Sequence, residues 1–420
     1  MLTSFTDLMR NSYDGLSKDV WMLALITLIN RTGSMVIVFL TLYLTTELDF
    51  TYTQAGIAMS CYGIGSVAGS YIGGWLTDRV GYYPTMFWSL LIGGFSFFGL
   101  MQITSFIGFC IGVLMVSTIV DTFRPASMAS IGTYSKPENH NRSLSLIRLA
   151  INLGFAAGAA ATGFISVYFG YDWLFAIDGL TCITAAFALR VVLKEKKVAT
   201  KKEEPVKKVA PSESRSAYRD KNFLYFIAIK GLAAIAFMQL FSAFPVFVKE
   251  ELLFSEDQFG LLMLINGLLI VVLEMPMVYL LEKRFQRLPL VIFGYGLFAL
   301  GYFVLTISGF WIATLVFFIL AISLGEIIGF PFSNAFALSR SGEDRRGEFM
   351  GLYSMAFSIA FIIAPIVGMY VAEEYGFKML WTLCGGISTL SVCLFFVVKG
   401  RIDKEDRLAK EEVLREAVVV

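Results

Sequence analysis

The feature that most constrains this chain is a succession of long apolar runs. About twelve occur, roughly at 20–45, 53–76, 85–105, 107–133, 144–168, 173–193, 223–248, 259–281, 289–308, 310–337, 349–372 and 378–398. Each approaches or exceeds the ~20 residues that an α-helix needs to cross the hydrocarbon core of a bilayer. Backbone groups inside lipid must bond within the protein, which leaves helices or closed barrels. Barrel strands are about ten residues long and alternate in polarity, whereas these runs are longer and uniformly apolar. The expected fold class is an all-α membrane protein with twelve transmembrane helices. Composition agrees: 57% of residues are hydrophobic and 16% charged, against about 45–50% and about 25% in soluble domains. That excludes a soluble enzyme, a disordered chain and a nucleic-acid binder, which needs a basic face. The first run follows a polar stretch, holds Asn30 and Arg31 and lacks a small-residue cleavage site, so it reads as a span and not as a removable signal.

The net charge is only +1, but the cations are unevenly placed. The even-numbered loops and both tails carry nearly all of them: Arg79, Lys136 and Arg142, the 194–221 linker, Lys283, Arg284 and Arg287, then Arg340, Arg345 and Arg346. The odd-numbered loops hold almost none, with Lys249 and Lys378 as exceptions. Cytoplasmic loops retain Lys and Arg. Both termini are therefore expected in the cytoplasm, with the chain in a bacterial inner membrane. The five cysteines lie in apolar runs without a C-x-x-C pair, so neither a disulfide framework nor a zinc site is expected. The one histidine, His140, sits in the polar stretch 136–142 and is expected in an exposed loop. No metal and no cofactor are implied.

Residues 194–221 are densely charged and contain two prolines, the composition of a solvated tether. They divide the chain into expected units 1–193 and 222–399, each with six spans, followed by a tail at 400–420 that is expected to form an amphipathic helix. The halves echo each other. Asp78-Arg79…Pro84 after the second span matches Glu282-Lys283…Pro289 after the eighth. Arg124-Pro125 matches Phe330-Pro331, and Arg142 matches Arg346. Repeated halves with a site at their interface are the logic of alternating-access transporters.

These features resemble the major facilitator superfamily: twelve spans in two pseudo-symmetric six-helix bundles, and a loop after span two of the pattern Gly-x-x-x-Asp-Arg-x-Gly-Arg-Arg/Lys. Gly73, Gly74, Asp78, Arg79 and Gly81 supply its core, with Tyr82 and Tyr83 where the family has cations. The resemblance implies a gating motif, in which Gly73 and Gly74 allow close helix approach and Asp78 caps a helix or pairs with a cation. Within the superfamily, Arg124 in span four and Arg346-Gly347-Glu348 before span eleven are similar to the drug/proton antiporter group. The Gly-Pro pair of that group's span five is absent, since Gly158 precedes Ala159. Phe123-Arg124-Pro125, Ile151-Asn152-Leu153-Gly154 and Gly325-Glu326 resemble fragments of the proton-coupled oligopeptide transporters. Their first-span Glu-x-x-Glu-Arg is reduced here to Arg31.

Ionisable groups inside a span are expensive and mark function by default. Arg31, Asp121, Arg124, Glu274 and Glu326 are the candidates for proton coupling or substrate binding. Asp178 and Lys230 also lie within spans, and Asp178 is expected to be structural. In the resembling family spans one, four, seven and ten line the cavity, which places Arg31, Arg124 and Glu326 there. Asp121 and Arg124, three apart, share one helix face. An Arg124–Glu326 pair across the halves is either a proton-sensitive element or a structural salt bridge; both readings stand. Asn30, Asn152, Gln239, Asn266 and Asn334 are uncharged candidates for lining the cavity. The expected function is secondary active transport of small organic solutes, proton-coupled, with drug-like efflux by antiport first and uptake by symport second. The expected partners are a small-molecule substrate, protons and the bilayer, with the protein a monomer that binds no nucleic acid. A sensor or assembly protein on a transporter scaffold is the reading from another class. No nucleotide-binding loop or hydrolytic constellation supports an enzyme.

Overall fold

A chain of long apolar runs separated by short polar loops satisfies its backbone in lipid as helices, and helices make up most of the described structure. The computed structural model describes residues 16–136, 139–196, 216–282, 284–307, 311–340 and 346–419. The helices are α1 (Lys18–Thr32), α2 (Met35–Thr46), α3 (Tyr52–Val80), α4 (Tyr82–Leu100), α5 (Phe106–Val120), α6 (Phe123–Tyr134), α7 (His140–Phe169) and α8 (Asp172–Val192). They continue with α9 (Lys221–Phe237), α10 (Ala243–Glu250), α11 (Glu256–Glu282), α12 (Arg287–Val304), α13 (Trp311–Arg340) and α14 (Arg346–Val419). No strand occurs among the described residues.

Among the described residues ten helical stretches are long and apolar enough to cross a membrane. Two features separate that number from the expected twelve. Helix α3 is 29 residues long but dilutes its apolar side chains with glycine, and it is not one of the ten. The last stretch, Phe349–Glu405, is a single run of 57 residues that contains Gly376 at φ 80°, a left-handed conformation that interrupts regular helix and that glycine adopts without penalty.

Three expected spans are broken, and the breaks have chemical causes. Pro125 has no N–H for the carbonyl of Asp121, and the chain leaves helical register between α5 and α6 at Asp121–Thr122. Pro245 has none for Phe241, and α9 passes through a 3-10 turn (Met238–Leu240) before α10 begins. Between α1 and α2 no proline is present. There the break at Gly33–Ser34 leaves fresh helix donors, which the Asp178 carboxylate on α8 accepts: Met35 N–H to Oδ1 at 2.9 Å and Val36 N–H to Oδ2 at 2.9 Å. A Cβ at Gly33 would collide with Thr181 on the same helix.

The polar stretch expected as a loop around His140 is helical from that residue: Asn139 precedes α7 and His140 is its first residue. Asn at a helix boundary favours initiation, and nothing after Pro137 breaks the helix until Gly170 at φ 91°. Residues 137 and 138 and the His140 side chain lie outside the described ones. The tail after Arg401 is helical to Val419, as part of α14.

Two compact units are present: Met1–Glu203 with Phe241–Val271 and Pro365–Glu373, and Glu204–Leu240 with Val272–Ala364 and Glu374–Val420. Segments 241–271 and 365–373 belong to the first unit because helix backbones meet there at glycine. A Cβ at Gly56 would stand 2.6 Å from the Pro365 carbonyl oxygen, and one at Gly260 would stand 2.7 Å from that of Ala159. Close approach through small residues is the usual basis of helix association in lipid. Thr53 N–H donates to Glu373 Oε2 at 2.6 Å, and Tyr171 hydroxyl and Lys249 both reach Glu256 Oε1, at 3.0 and 2.7 Å.

Residues 197–215 of the expected linker lie outside the described ones, but both of its ends are anchored. At the first end Tyr82 hydroxyl donates to the Lys196 carbonyl at 2.9 Å and accepts from Lys196 N–H at 3.2 Å. Tyr83 reaches the Leu193 carbonyl at 3.2 Å and Tyr134 that of Lys194 at 2.9 Å. Lys196 Nζ pairs with Asp19 at 2.5 Å. At the second end Asp220, 3% exposed, caps α9 through Phe223 N–H at 3.0 Å and binds Arg340 Nη2 at 2.6 Å. Arg340 reaches Glu405 of the tail at 3.2 Å.

Candidate functional site

In the first unit the break between α5 and α6 gathers the charged groups. Asp121 closes α5 and is buried, while Arg124 in the first turn of α6 is exposed. The expectation that Asp121 and Arg124 share one continuous helix face fails, because Pro125 ends the helix between them. They remain electrostatic neighbours even so, and Arg31 of α1 acts on the same guanidinium. Arg31 is half-buried, and its Nε is fully enclosed with no hydrogen-bond partner among the described residues. The Tyr62 hydroxyl of α3 lies within the field of Asp121, Arg31 and Asp178. Tyr62 has no signature in the sequence beyond a hydroxyl inside an apolar run, a group that must find a partner when buried.

Glycines bring these helices together. A Cβ at Gly73 would stand 2.6 Å from the Thr122 carbonyl oxygen and 2.8 Å from Pro125 Cγ, and one at Gly154 would stand 2.7 Å from Arg31 Cβ. Asn30, buried beside Arg31, donates to Cys182 Sγ at 3.4 Å. Asp178 is 1% exposed and both its oxygens are occupied by the N-terminus of α2. Its charge is therefore directed to backbone donors. The cluster that remains holds two guanidinium groups, Arg31 and Arg124, against one carboxylate, Asp121. An uncompensated positive charge within a span is costly.

The expected gating residues divide. Gly73 makes the close approach, but Gly74 faces open space, with no atom within 4 Å of an added Cβ; its expected role in packing is corrected. One face of a helix meets its neighbour, and consecutive residues point about 100° apart. Asp78 is exposed, with no hydrogen bond or ion pair recorded to another described residue, and Arg79 lies over the Trp75 ring at 4.3 Å. Gly81, at φ 96°, ends α3 with its N–H on the Thr77 carbonyl.

In the second unit Glu274 on α11 and Glu326 on α13 are half-buried, each with an interaction inside the chain. Gln239 is 2% exposed and donates to the Ala364 carbonyl at 2.7 Å, a helix-packing contact. Asn334 keeps a buried Oδ1 without a partner among the described residues. Asn152 in the first unit is half-buried, and Asn266 there is buried. Lys230 on α9 is 2% exposed, donates from Nζ to the Tyr353 carbonyl at 3.1 Å, and stands 3.6 Å from the centre of the Tyr353 ring. No group of three or more potential metal ligands occurs among the described residues. A surface groove of about 450 Å³ beside α3, α4 and α5 is apolar and holds none of these charged residues.

Comparison with known proteins gives a consistent picture. A family profile described as Major Facilitator Superfamily matches residues 23–255 and 230–419. An uncharacterised transporter of that type from Bacillus subtilis, YqjV, is 22% identical, over 85% of this chain and 87% of its own. A Na(+), Li(+), K(+)/H(+) antiporter from Planococcus maritimus is 23% identical, over 86% and 91%. The class C tetracycline resistance protein from Escherichia coli is 24% identical, over 82% and 87%. Among solved structures, a peptide transporter crystallised with sulfate superposes with a TM-score of 0.76 at 16% identity, covering 93% of this chain and 96% of that one.

Proposed function

The chain belongs to the Major Facilitator Superfamily, and from that premise we propose that it is a secondary active transporter, working by alternating access, for small organic solutes that carry an anionic group. The single observation that carries the substrate class is the cluster of Arg31 and Arg124 against Asp121, with Arg31 Nε enclosed and without a partner among the described residues. A carboxylate or comparable anion satisfies both guanidinium groups. Twelve crossings follow when α3 is counted as a span and α14 is divided at Gly376, and the cation distribution favours both termini on the cytoplasmic side.

Proton coupling is part of the same proposal, with Glu326 as the first candidate acid. A carboxylate that loses a cationic neighbour as the protein rocks becomes easier to protonate. Drug-like efflux by proton antiport is the preferred direction, in keeping with relatives named as an antiporter and a resistance protein. Uptake by symport is the competing reading, favoured by the Phe123-Arg124-Pro125 and Gly325-Glu326 fragments.

Proteoliposomes with an imposed proton gradient test all three statements. Tetracycline, a zwitterion, is expected to move against the proton flux, and a dipeptide is the probe for the competing direction. Removing one charge with Arg31→Gln or Arg124→Gln is expected to weaken apparent affinity roughly tenfold to a hundredfold, the equivalent of a charge-assisted bond of about 1.5–3 kcal/mol. Unchanged affinity in both variants rules out the anion site. An unchanged pH profile in Glu326→Gln removes Glu326 as the coupling acid.

A further inference from the structure

One buried ion in the second unit has no part in the anion cluster. Lys230 sits at the tenth position of α9, counted from Lys221, and its side chain is 2% exposed. No salt bridge to it occurs among the described residues. The groups it touches among the described residues are neutral. Helix α14 supplies the Tyr353 carbonyl at 3.1 Å, the Tyr353 ring at 3.6 Å and the Phe357 ring at 5.2 Å. Tyr353 hydroxyl is itself turned to the Phe330 carbonyl of α13, at 3.4 Å. Between 349 and 364, α14 carries no acid or base other than Tyr353, and α13 carries only Glu326 and the terminal Arg340.

An ammonium removed from water without a counter-ion is a strained species, because burial disfavours the charged form. What holds the proton here is the pair of aromatic faces and one carbonyl. Cation–π attraction acts on the charged form only, and it falls away when the ring and the nitrogen separate. The carbonyl bond survives deprotonation, since a neutral amine still donates. Both rings belong to α14 and the lysine to α9. The proton affinity of Lys230 is therefore tied to the spacing of two helices, which close packing sets: Gly231 lies against Ala356, with an added Cβ 3.6 Å from that methyl group.

We propose that Lys230 is a proton carrier of the second unit, holding its proton while α9 and α14 are packed and releasing it when the Tyr353 and Phe357 faces move away. The proton leaves Nζ for water, the lysine becomes a neutral amine, and re-packing of the helices restores the charged form. This rests on the reading of the chain as a proton-coupled transporter, but its first test needs no substrate.

The full chain, labelled with ¹⁵N-lysine in lipid nanodiscs, is titrated from about pH 5 to about pH 9, well below the ordinary lysine midpoint of about 10.4. The Lys230 Nζ resonance is identified by its loss in Lys230→Arg or, independently, in Lys230→Met. The expected result is passage from ammonium to amine within that range while the surface lysines stay charged. A Lys230 resonance that remains ammonium throughout overturns the proposal, whatever the chain transports. In proteoliposomes with tetracycline as probe, Lys230→Arg and Lys230→Met are both expected to lose pH-driven accumulation. A Lys230→Arg protein that accumulates the probe like the wild type shows that only a positive charge is needed there, and also overturns it. If the wild type moves no tetracycline, the choice of substrate is wrong, and the titration alone decides the role of Lys230.

Discussion

Replacing Asp178 separates a structural carboxylate from a coupling one. Its two oxygens accept from Met35 and Val36, both at 2.9 Å, in a site where the residue is 1% exposed. Asp178→Ala leaves two buried donors without a partner. Each such orphan is worth about 1–3 kcal/mol, and loss of the favourable charge at a helix N-terminus adds about 0.3–1 kcal/mol. The sum is about 2–7 kcal/mol. Asp178→Asn keeps one acceptor oxygen but turns an NH2 group towards the second donor, so about half that loss is expected. The assay is thermal unfolding in detergent, read with a thiol-reactive dye as Cys182 and Cys384, at 2% and 3% exposure, become accessible. The expected order of midpoints is wild type, then Asp178→Asn, then Asp178→Ala. Equal midpoints for all three would refute the capping argument. The Asn variant is also expected to keep the pH profile of transport. A lost pH profile with an unchanged midpoint places Asp178 on the proton path instead.

Gly73→Ala is expected to lower the unfolding midpoint and transport, because its Cβ meets the Thr122 backbone at 2.6 Å, whereas Gly74→Ala, with open space around it, is expected to match the wild type in both measurements. Tyr82→Phe with Tyr134→Phe removes three hydrogen bonds to Lys194 and Lys196, each worth about 0.5–1.5 kcal/mol; faster tryptic cleavage at those lysines is the expected readout, and an unchanged rate counts against the clasp. Arg340→Gln leaves Asp220, 3% exposed, as an unpaired buried carboxylate at a penalty of about 3–5 kcal/mol. Adding Asp220→Asn is expected to recover part of that loss in a double-mutant cycle on the unfolding midpoint, and simple additivity of the two variants contradicts the pairing.

The fold class was legible because lipid leaves so few alternatives: long apolar runs, a charged linker and a one-sided distribution of cations lead to an all-helical membrane protein by elimination. The breaks inside spans one, four and seven were not foreseen, for two different reasons. At Pro125 and Pro245 the signal was present, since a missing N–H disrupts a helix within one turn, but hydropathy averages over about twenty residues and conceals a defect of two. At Gly33–Ser34 the local sequence carries no comparable breaker. The capping carboxylate lies more than 140 residues away at Asp178, and only tertiary structure brings it there. The charged cluster of Arg31, Asp121 and Arg124 shows the same division. Arg31, Asp121 and Arg124 stand out as charges in apolar runs, whereas Tyr62 is one tyrosine among 18 and becomes distinct only when α3 approaches the break.

The tyrosines that follow Gly73 and Gly74 have a structural role of their own. Tyr82 and Tyr83 stand where the resembling pattern has cations, and on sequence alone they weaken the motif. In the structure Tyr82 makes both of its hydrogen bonds to the backbone of Lys196, and Tyr83 donates to the carbonyls of Leu193 and Leu189. The substitution exchanges charge for a pair of hydroxyls at the start of α4, of which Tyr82 fastens the linker at Lys196 and Tyr83 the end of α8 at Leu189 and Leu193. At the far end of the linker, Asp220, Arg340 and Glu405 join the start of α9, the end of α13 and the tail in one ionic cluster. Any movement of α9 or α13 therefore acts on the tail through charges, and any movement of α4 acts on the linker through neutral hydroxyls. Salt screens the first link and leaves the second almost untouched. Raising ionic strength should loosen the Glu405 end of the tail, seen as faster hydrogen exchange near residues 401–408, while exchange at Lys194–Lys196 stays constant once Asp19→Asn has removed the Lys196–Asp19 ion pair, which salt also screens. Equal responses at both sites would mean that the two anchors do not differ in the way their chemistry requires.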